Sequence, residues 1–492
     1  MGMILAIDQG TTGTTAVLID AITLEVVSKV NHEFPQIFPK PGWVEHNLND
    51  IWDTVCKSVS EVLKKANIKG EEIQTIGITN QRETICAFDK NSRPIRNAIV
   101  WQDRRTNDFC KNLATNLKEK ITAKTGLPVD PYFSGTKINW LLSNDSKVQE
   151  AIKNNDCFFG TIDTFLIHKL TGGKSHVTEA SNASRTLLFD IHKGAWCEEL
   201  LEIFDIDKKN LPEVRDSFGD FGSTTGLDFL PDGITINGVL GDQQSALFGQ
   251  AGIKKGMSKC TYGTGAFYLI NTGDECIQSQ NGLLSTIAYR ENGKDYFALE
   301  GSSYIAGAAV QWLRDQLQFF PDSPAVEELA LQSSDDKMAN VLFLPFFTGL
   351  GSPYWVGEAT AAITGLTRDT GRSEIARACL EGVCLAINDL IESIEKDSGL
   401  KVKELRVDGG AVVNNFLMQT QANISNTKII RPKVIETTAF GAACAAAIGK
   451  NIITKNQLEE MWQEESTFTP VESGYFEMKK GQWKETIKKL YL

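Results

Sequence analysis

Ile4-Leu5-Ala6-Ile7-Asp8-Gln9-Gly10-Thr11-Thr12-Gly13-Thr14-Thr15-Ala16-Val17-Leu18-Ile19 reads as two apolar strands around a polar turn. The turn, Asp8 to Thr15, is rich in Gly and Thr. Such a hairpin exposes backbone N–H groups and hydroxyls that can cradle phosphate oxygens. Asp8 beside it is placed to hold Mg²⁺ through water, the usual way that ion sits near phosphates. An ordinary polar hairpin has the same composition, since Asp and Gly are standard turn residues. The pattern returns at Ser258-Lys259-Cys260-Thr261-Tyr262, which leads through Gly263-Thr264-Gly265 into Ala266-Phe267-Tyr268-Leu269-Ile270. Strand, Gly/Thr turn and strand thus occur twice, a weak internal repeat. Two such turns, one per domain, could grip a phosphate chain from both sides of a cleft.

Between and beyond the turns, strands and helices alternate, which marks an α/β layered fold. Ile51, Val55, Val59, Val62 and Leu63 recur at helical spacing, with Asn49 or Asp50 as the expected cap. Strands are expected at Thr75–Thr79 and Ala98–Trp101, and a long amphipathic helix at Arg372–Lys396. The small-residue run Gly441–Ala447 suits a helix packed closely on a neighbour. Arg406-Val407-Asp408-Gly409-Gly410-Ala411 follows a strand and precedes a helix start at Asn414-Asn415-Phe416. Its glycines would let the backbone approach a flat ligand, and a tight strand-to-helix turn accounts for them equally well.

With 492 residues the chain exceeds one compact core, so two domains of about 200–250 residues are expected. Fifty basic against 62 acidic residues give a net charge of −12, which argues against nucleic acid as a partner. The N-terminus lacks the pattern of a signal peptide or anchor, and no apolar run reaches transmembrane length. Ten scattered Cys are expected to be reduced thiols. Five His without a His-Glu-x-x-His helix argue against a zinc enzyme. No Walker-type loop, no Gly-x-Gly-x-x-Gly and no protein-kinase signature occurs.

Asp8-Gln9-Gly10-Thr11-Thr12, Gly77-Ile78-Thr79-Asn80-Gln81-Arg82-Glu83-Thr84, Pro131-Tyr132-Phe133-Ser134-Gly135-Thr136-Lys137, Gly241-Asp242-Gln243-Gln244 and Tyr262-Gly263-Thr264-Gly265 together resemble the glycerol kinases. These belong to the carbohydrate-kinase family of the actin and sugar-kinase ATPase superfamily. Further matching stretches are Lys40–His46, Asn182-Ala183-Ser184-Arg185-Thr186 and Thr348-Gly349-Leu350-Gly351, so the likeness runs from about Ile4 to the end, weakening after Lys450. It implies an α/β fold of two actin-like (ribonuclease-H-like) domains, each a mixed sheet flanked by helices, with an active-site cleft between them. Residues 1–250 would form the polyol-binding domain with the first phosphate turn, and 251–492 the nucleotide-binding domain.

The resemblance also implies phosphoryl transfer from ATP, with Mg²⁺, to a terminal hydroxyl of glycerol. It places glycerol against Arg82, Glu83, Trp101, Tyr132, Asp242, Gln243 and Phe267, with Asp242 as general base. The nucleotide falls to Thr11, Thr12, Thr264, Gly307, Gln311, Gly410 and Asn414, and the metal to Asp8. A cytoplasmic homodimer or homotetramer, without membrane insertion, is implied as well. The residues keep plainer readings beside these: a helix N-cap for Asp242, a surface ion pair for Arg82–Glu83, core packing for Trp101 and Phe267. A kinase of another polyol or a pentulose, and a non-catalytic nucleotide-binding protein on the actin fold, remain as alternatives. The chain departs from the glycerol-kinase pattern at Thr15, where Arg is common, and at Gly13, where a small hydroxyl residue is common. It also lacks the Gly-Gly-Thr-Arg loop for fructose 1,6-bisphosphate and any His between Leu211 and Gly241, so neither form of control is expected.

Overall fold

The computed structural model describes residues 2–492. The opening hairpin forms β1 (Met3–Gln9) and β2 (Gly13–Asp20), followed by β3 (Val26–Glu33). After helix α1 (Leu48–Ala66) come β4 (Ile73–Asn80) and, much later, β5 (Thr235–Gly241). The five strands make one sheet in the order β5-β4-β1-β2-β3, with β1 antiparallel to β2 and parallel to β4. Helix α2 (Asp242–Gly249) then leads toward a second sheet.

That sheet contains β6 (Ser258–Tyr262), β7 (Ala266–Gly273), β8 (Leu284–Glu291), β9 (Lys294–Ser303), β10 (Glu404–Asp408), β11 (Lys428–Pro432) and β12 (Glu464–Phe468). Its order is β8-β9-β7-β6-β10-β11-β12. The segment β9-β7-β6-β10-β11 repeats the order and the directions of β3-β2-β1-β4-β5. The repeat suggested by the two Gly/Thr turns is therefore present in the strand pairing, with β8 and β12 added at the edges. Remaining helices used below are α3 (Gly307–Asp315), α4 (Arg372–Ser398), α5 (Asn415–Ser425), α6 (Thr437–Gly449) and α7 (Gly474–Tyr491).

Each sheet is covered by helices on apolar stripes read from the sequence. α1 buries Ile51, Val55, Val59 and Val62 completely, a contribution of about 1.5–3 kcal/mol per side chain. Its cap is neither Asn49 nor Asp50 but Asn47, whose side-chain oxygen accepts from the Asn49 N–H at 2.9 Å. The helix thus begins two to three residues earlier than expected from the sequence. The strand expected at Ala98–Trp101 is shorter, Ala98–Ile99, because Trp101 already lies in the following turn.

The small-residue helix α6 is the seam of the molecule. Although it comes late in the chain, it packs on α2 and on the first sheet. A Cβ on Gly77 would lie 2.1 Å from the Ala442 carbonyl oxygen, and one on Gly238 would lie 2.2 Å from the Ala446 nitrogen. Backbone meets backbone there, and only glycine permits the approach. Ala443 and Ala445–Ala447 share one core with Ala6 and Val17 of the first sheet and Leu269 and Ala298 of the second. The two halves of the fold are interlocked through this helix. Among the described residues no helix is long and apolar enough to cross a membrane, and no Cys is in a disulfide.

Candidate active site

The first and second sheets bring their strand ends together around a buried cluster of charges. β4 ends at Asn80, and the chain then turns so that Arg82 and Glu83 point inward, 2% and 1% exposed. Glu83 adopts a left-handed backbone with φ of 62°, an unusual conformation for a residue with a Cβ. Its carbonyl is held there by the Ser134 hydroxyl at 2.8 Å. The surface-pair reading of Arg82–Glu83 is corrected: both side chains are desolvated, and their Nε–Oε1 separation is 3.9 Å. Stronger partners lie elsewhere.

Arg82 donates from Nη1 and Nη2 to the Glu300 carboxylate at 2.5 and 2.9 Å, and its Nε lies 3.0 Å from Asp242 Oδ1 as an ion pair. Arg185 donates from Nε to Glu83 at 2.6 Å and from Nη2 to Glu300 at 3.1 Å. Burial by itself would raise the Glu300 carboxyl, but Arg185 and Arg82 override it and hold the group near 2. Burial wins at Glu83, whose carboxyl is raised despite the same two guanidinium groups. Two cations and three carboxylates therefore share a poorly solvated space, in which Glu300 accepts from both guanidinium groups while Arg185 Nη1 has no protein acceptor.

Asp242 is the first residue of α2, and Gly241 occupies the cap position, so the N-cap reading of Asp242 does not hold. The Gly241 N–H is fixed by the Ser181 hydroxyl at 2.9 Å. Asp242 Oδ1 accepts from its neighbour Gln243 N–H at 2.7 Å and is ion-paired with Arg82. Both contacts fall on Oδ1, which leaves Oδ2 as the oxygen able to take a proton. The side chain is 30% exposed, unlike Arg82, Glu83 and Glu300 around it.

An aromatic wall stands beside this cluster. Trp101 and Tyr132 meet edge to face at 5.4 Å, and the Trp101 indole N–H donates to the Thr11 hydroxyl at 3.0 Å. That bond ties the wall to the first Gly/Thr turn. The buried Lys137 ammonium donates to the Tyr132 carbonyl at 2.8 Å and fixes the segment carrying the ring. Trp101, Tyr132 and Phe267 are all half-buried, so none is a plain core residue. Such a wall beside convergent donors and acceptors suits a small molecule with one polar and one apolar edge.

The remaining expected residues gather on the second sheet. Gly263 N–H bonds the Gly265 carbonyl at 2.9 Å, closing a turn like the one that Gly10 N–H closes on Gly13 at 2.9 Å. Gly307 opens α3 directly on that turn: its N–H donates to the Gly263 carbonyl at 2.9 Å, and a Cβ would come within 2.7 Å of the same oxygen. Gln311 is exposed one helical turn further. Gly409, with φ of 92°, lies where a Cβ would touch the Tyr262 carbonyl at 2.6 Å, so the Gly409–Gly410 loop is seated against the second turn. Asn414 caps α5 through Oδ1 on Leu417 N–H at 2.7 Å. Thr264 and Gly410 are exposed.

No hydrogen bond among the described residues joins the two turns, Thr11–Thr12 and Thr264, to each other. Beside the first turn, Asp8 lies close enough to Asp242 and Glu436 for their charges to act on it. Burial first, and then those two carboxylates, push the Asp8 carboxyl up to about 7, while Lys29 opposes them. A divalent cation would relieve this crowding of carboxylates, but no group of three or more His, Cys, Asp or Glu among the described residues could hold one by itself. A cation here would take its other ligands from water and phosphate.

Sequence reasoning missed Arg185, Glu300 and Lys137 as parts of the site. Arg185 and Lys137 lie inside matched motifs, whereas Glu300 sits on β9 with no local signal.

Comparison with known proteins shows the family. The N-terminal domain model of the FGGY family of carbohydrate kinases matches residues 3–249, and its C-terminal domain model matches 258–449. The chain is 49% identical to a glycerol kinase of Bdellovibrio bacteriovorus over 94% of each chain. It is 48% identical to glycerol kinase 2 of Thermotoga maritima, over 99% of this chain and 98% of that one. Among solved structures it resembles Plasmodium falciparum glycerol kinase with ADP, at a TM-score of 0.91 and 35% identity, covering 100% and 99% of the two chains. A gluconate kinase from Lactobacillus acidophilus, at a TM-score of 0.88 but 22% identity, shares the fold. This chain belongs to the FGGY family of carbohydrate kinases.

Proposed function

We propose that the protein is a glycerol kinase, transferring the γ-phosphoryl group of ATP to a terminal hydroxyl of glycerol to give sn-glycerol 3-phosphate and ADP. The observation that carries the reading is the juxtaposition of Asp242 with Arg82. A half-exposed carboxylate has one oxygen tied down by a buried guanidinium and the other free. Near-full-length identity of 46–49% to glycerol kinases supports the choice of substrate.

In this reading Arg82, Glu83 and Gln243 bind the hydroxyl edge of the triol, and Trp101, Tyr132 and Phe267 cover its C–H edge. Asp242 Oδ2 accepts the proton of the attacking hydroxyl as its oxygen bonds to phosphorus. Because the transition state of phosphoryl transfer is loose, the value of this carboxylate is alignment more than basicity. Arg82 holds Asp242 in line and is itself held by Glu300. Thr11, Thr12 and Thr264 bind the phosphate chain with hydroxyls and backbone N–H groups. Gly307, Gln311, Gly410 and Asn414 line the adenosine side. Asp8 would hold Mg²⁺ through water, and the ion would neutralise charge on the transferring phosphates.

Residues 1–250 and 251–492 serve as the two arms of this cleft, their closure excluding water from the phosphoryl group. The protein works in the cytoplasm as a homodimer or homotetramer. A coupled assay of ADP release, run with and without glycerol, tests the reading. Release only in the presence of glycerol, and slower release with erythritol or xylulose, is the expected result. Glycerol-independent release, or a preference for xylulose, would remove it.

A further inference from the structure

Lys259, on β6, is completely buried, yet no carboxylate among the described residues forms an ion pair with it. Its ammonium donates to Gln243 Oε1 at 2.5 Å and to the Thr261 hydroxyl at 2.7 Å. The acidic groups around it are Asp408 on β10, Asp242 on α2, Glu300 on β9 and the neighbouring Cys260 thiol. A desolvated cation balanced only at a distance is expensive to keep, and such groups concentrate where function requires them.

The contact has a definite chemical consequence. An ammonium can only donate, so the atom of Gln243 that faces it must be the carbonyl oxygen. The amide of Gln243 is thereby locked in one of its two orientations, with Nε2 turned away from Lys259. Oε1 is the only side-chain atom of Gln243 that another protein group engages among the described residues, and the side chain lies one position from Asp242.

We infer that Lys259 is a positioning residue for the polyol: it fixes the Gln243 amide so that Nε2 presents donors to a hydroxyl oxygen of the substrate. This rests on the assignment of the polyol to the Asp242–Gln243 corner. An unlocked amide would offer its oxygen to the substrate half of the time and lose the alignment that a small triol needs. Lys259 acts through Gln243 and does not touch the reacting atoms.

The test is a double-mutant cycle in the full-length enzyme with Lys259→Met and Gln243→Ala, reading KM for glycerol and for ATP separately. Lys259→Met is expected to raise the glycerol KM about tenfold and leave the ATP KM within about twofold. In the Gln243→Ala background the same change should add less than about twofold. Equal effects of Lys259→Met in both backgrounds, or no effect in either, would overturn the inference. Should Lys259→Met fail to fold, as judged by circular dichroism, Lys259→Gln is carried through the same cycle with the same criteria. A wild-type enzyme that ignores glycerol removes the functional reading and this inference together; a glycerol-dependent wild type with an additive cycle removes the inference alone.

Discussion

Arg82 and Glu300 are 218 residues apart in the chain and meet in a two-point ion pair at the junction of the two sheets. Arg82 follows a strand of the first sheet, Glu300 lies within a strand of the second, and both are desolvated. Removing one member leaves an uncompensated buried charge, which costs far more than the pair contributes. Glu300→Gln keeps the shape and removes the charge. It should destabilise the protein by about 3 kcal/mol in urea unfolding and raise the glycerol KM, because Arg82 is then drawn onto Asp242. Wild-type stability in that variant would mean that the pair holds nothing in place.

Asp242→Asn removes the proton acceptor but retains an oxygen for Arg82 and the Gln243 N–H. Turnover should fall by about 10²–10⁴-fold, the usual range for loss of a general base, with the glycerol KM within about tenfold. Steady-state kinetics at saturating ATP decide the point, and unaltered kcat would take Asp242 out of the mechanism.

Thr15 pairs across β1–β2 with Asp8, and its hydroxyl accepts from the Asn31 amide at 2.9 Å. The nearby Lys29 ammonium is engaged by Glu436. Thr15→Arg would place a second cation beside Asp8, where phosphate is expected. The KM for ATP should drop by about three- to tenfold, roughly 1 kcal/mol of charge-assisted binding, with little change for glycerol. An unchanged or higher ATP KM would show that position 15 does not face the phosphates.

Asp389 on α4 accepts from the Trp483 indole at 2.7 Å and from the Tyr354 hydroxyl at 3.1 Å, which anchors α7. Burial nevertheless pushes its carboxyl up to about 7, because those two bonds only partly offset desolvation. The folded state then holds the proton more tightly than the unfolded chain does. This contribution is complete below about pH 4, the ordinary carboxylate pKa, and is lost as pH rises toward 7. Asp389→Asn keeps the acceptor without the charge. Its stability relative to wild type should therefore climb between pH 5 and pH 8, by on the order of 1 kcal/mol or more. Parallel denaturation curves over that range would count against a protonated Asp389.

Gly441 of α6 lies where a Cβ would come within 1.8 Å of the Ser245 carbonyl on α2. Gly441→Ala must push the two helices apart, at a cost of about 3 kcal/mol by analogy with overpacked cores. Since α2 begins at Asp242, turnover should fall alongside the melting temperature. A variant with wild-type Tm and kcat would show the seam to be more yielding than its backbone contacts imply.

Local pattern determined a large part of this protein. The apolar runs Ile4–Ile7 and Ala16–Ile19 on either side of a Gly/Thr turn mark two buried strands of a hairpin, and the helical spacing from Ile51 to Leu63 marks an amphipathic helix through side-chain periodicity. The second Gly/Thr turn at Gly263–Gly265 marked the repeat, and the motifs around Arg82, Tyr132 and Asp242 named the corner of the cleft. What tertiary structure alone decided was which charges face one another. Glu300 looks like any acidic residue of a strand, and the plainer alternative for Arg82–Glu83, a surface pair, stands until the two sheets close over them. Helix α6 could be foreseen as closely packed, but not that it would seat on the sheet of the other half. Burial and partner choice depend on contacts between segments hundreds of residues apart, and those are set by the packing of whole layers, not by the order of residues within any one of them.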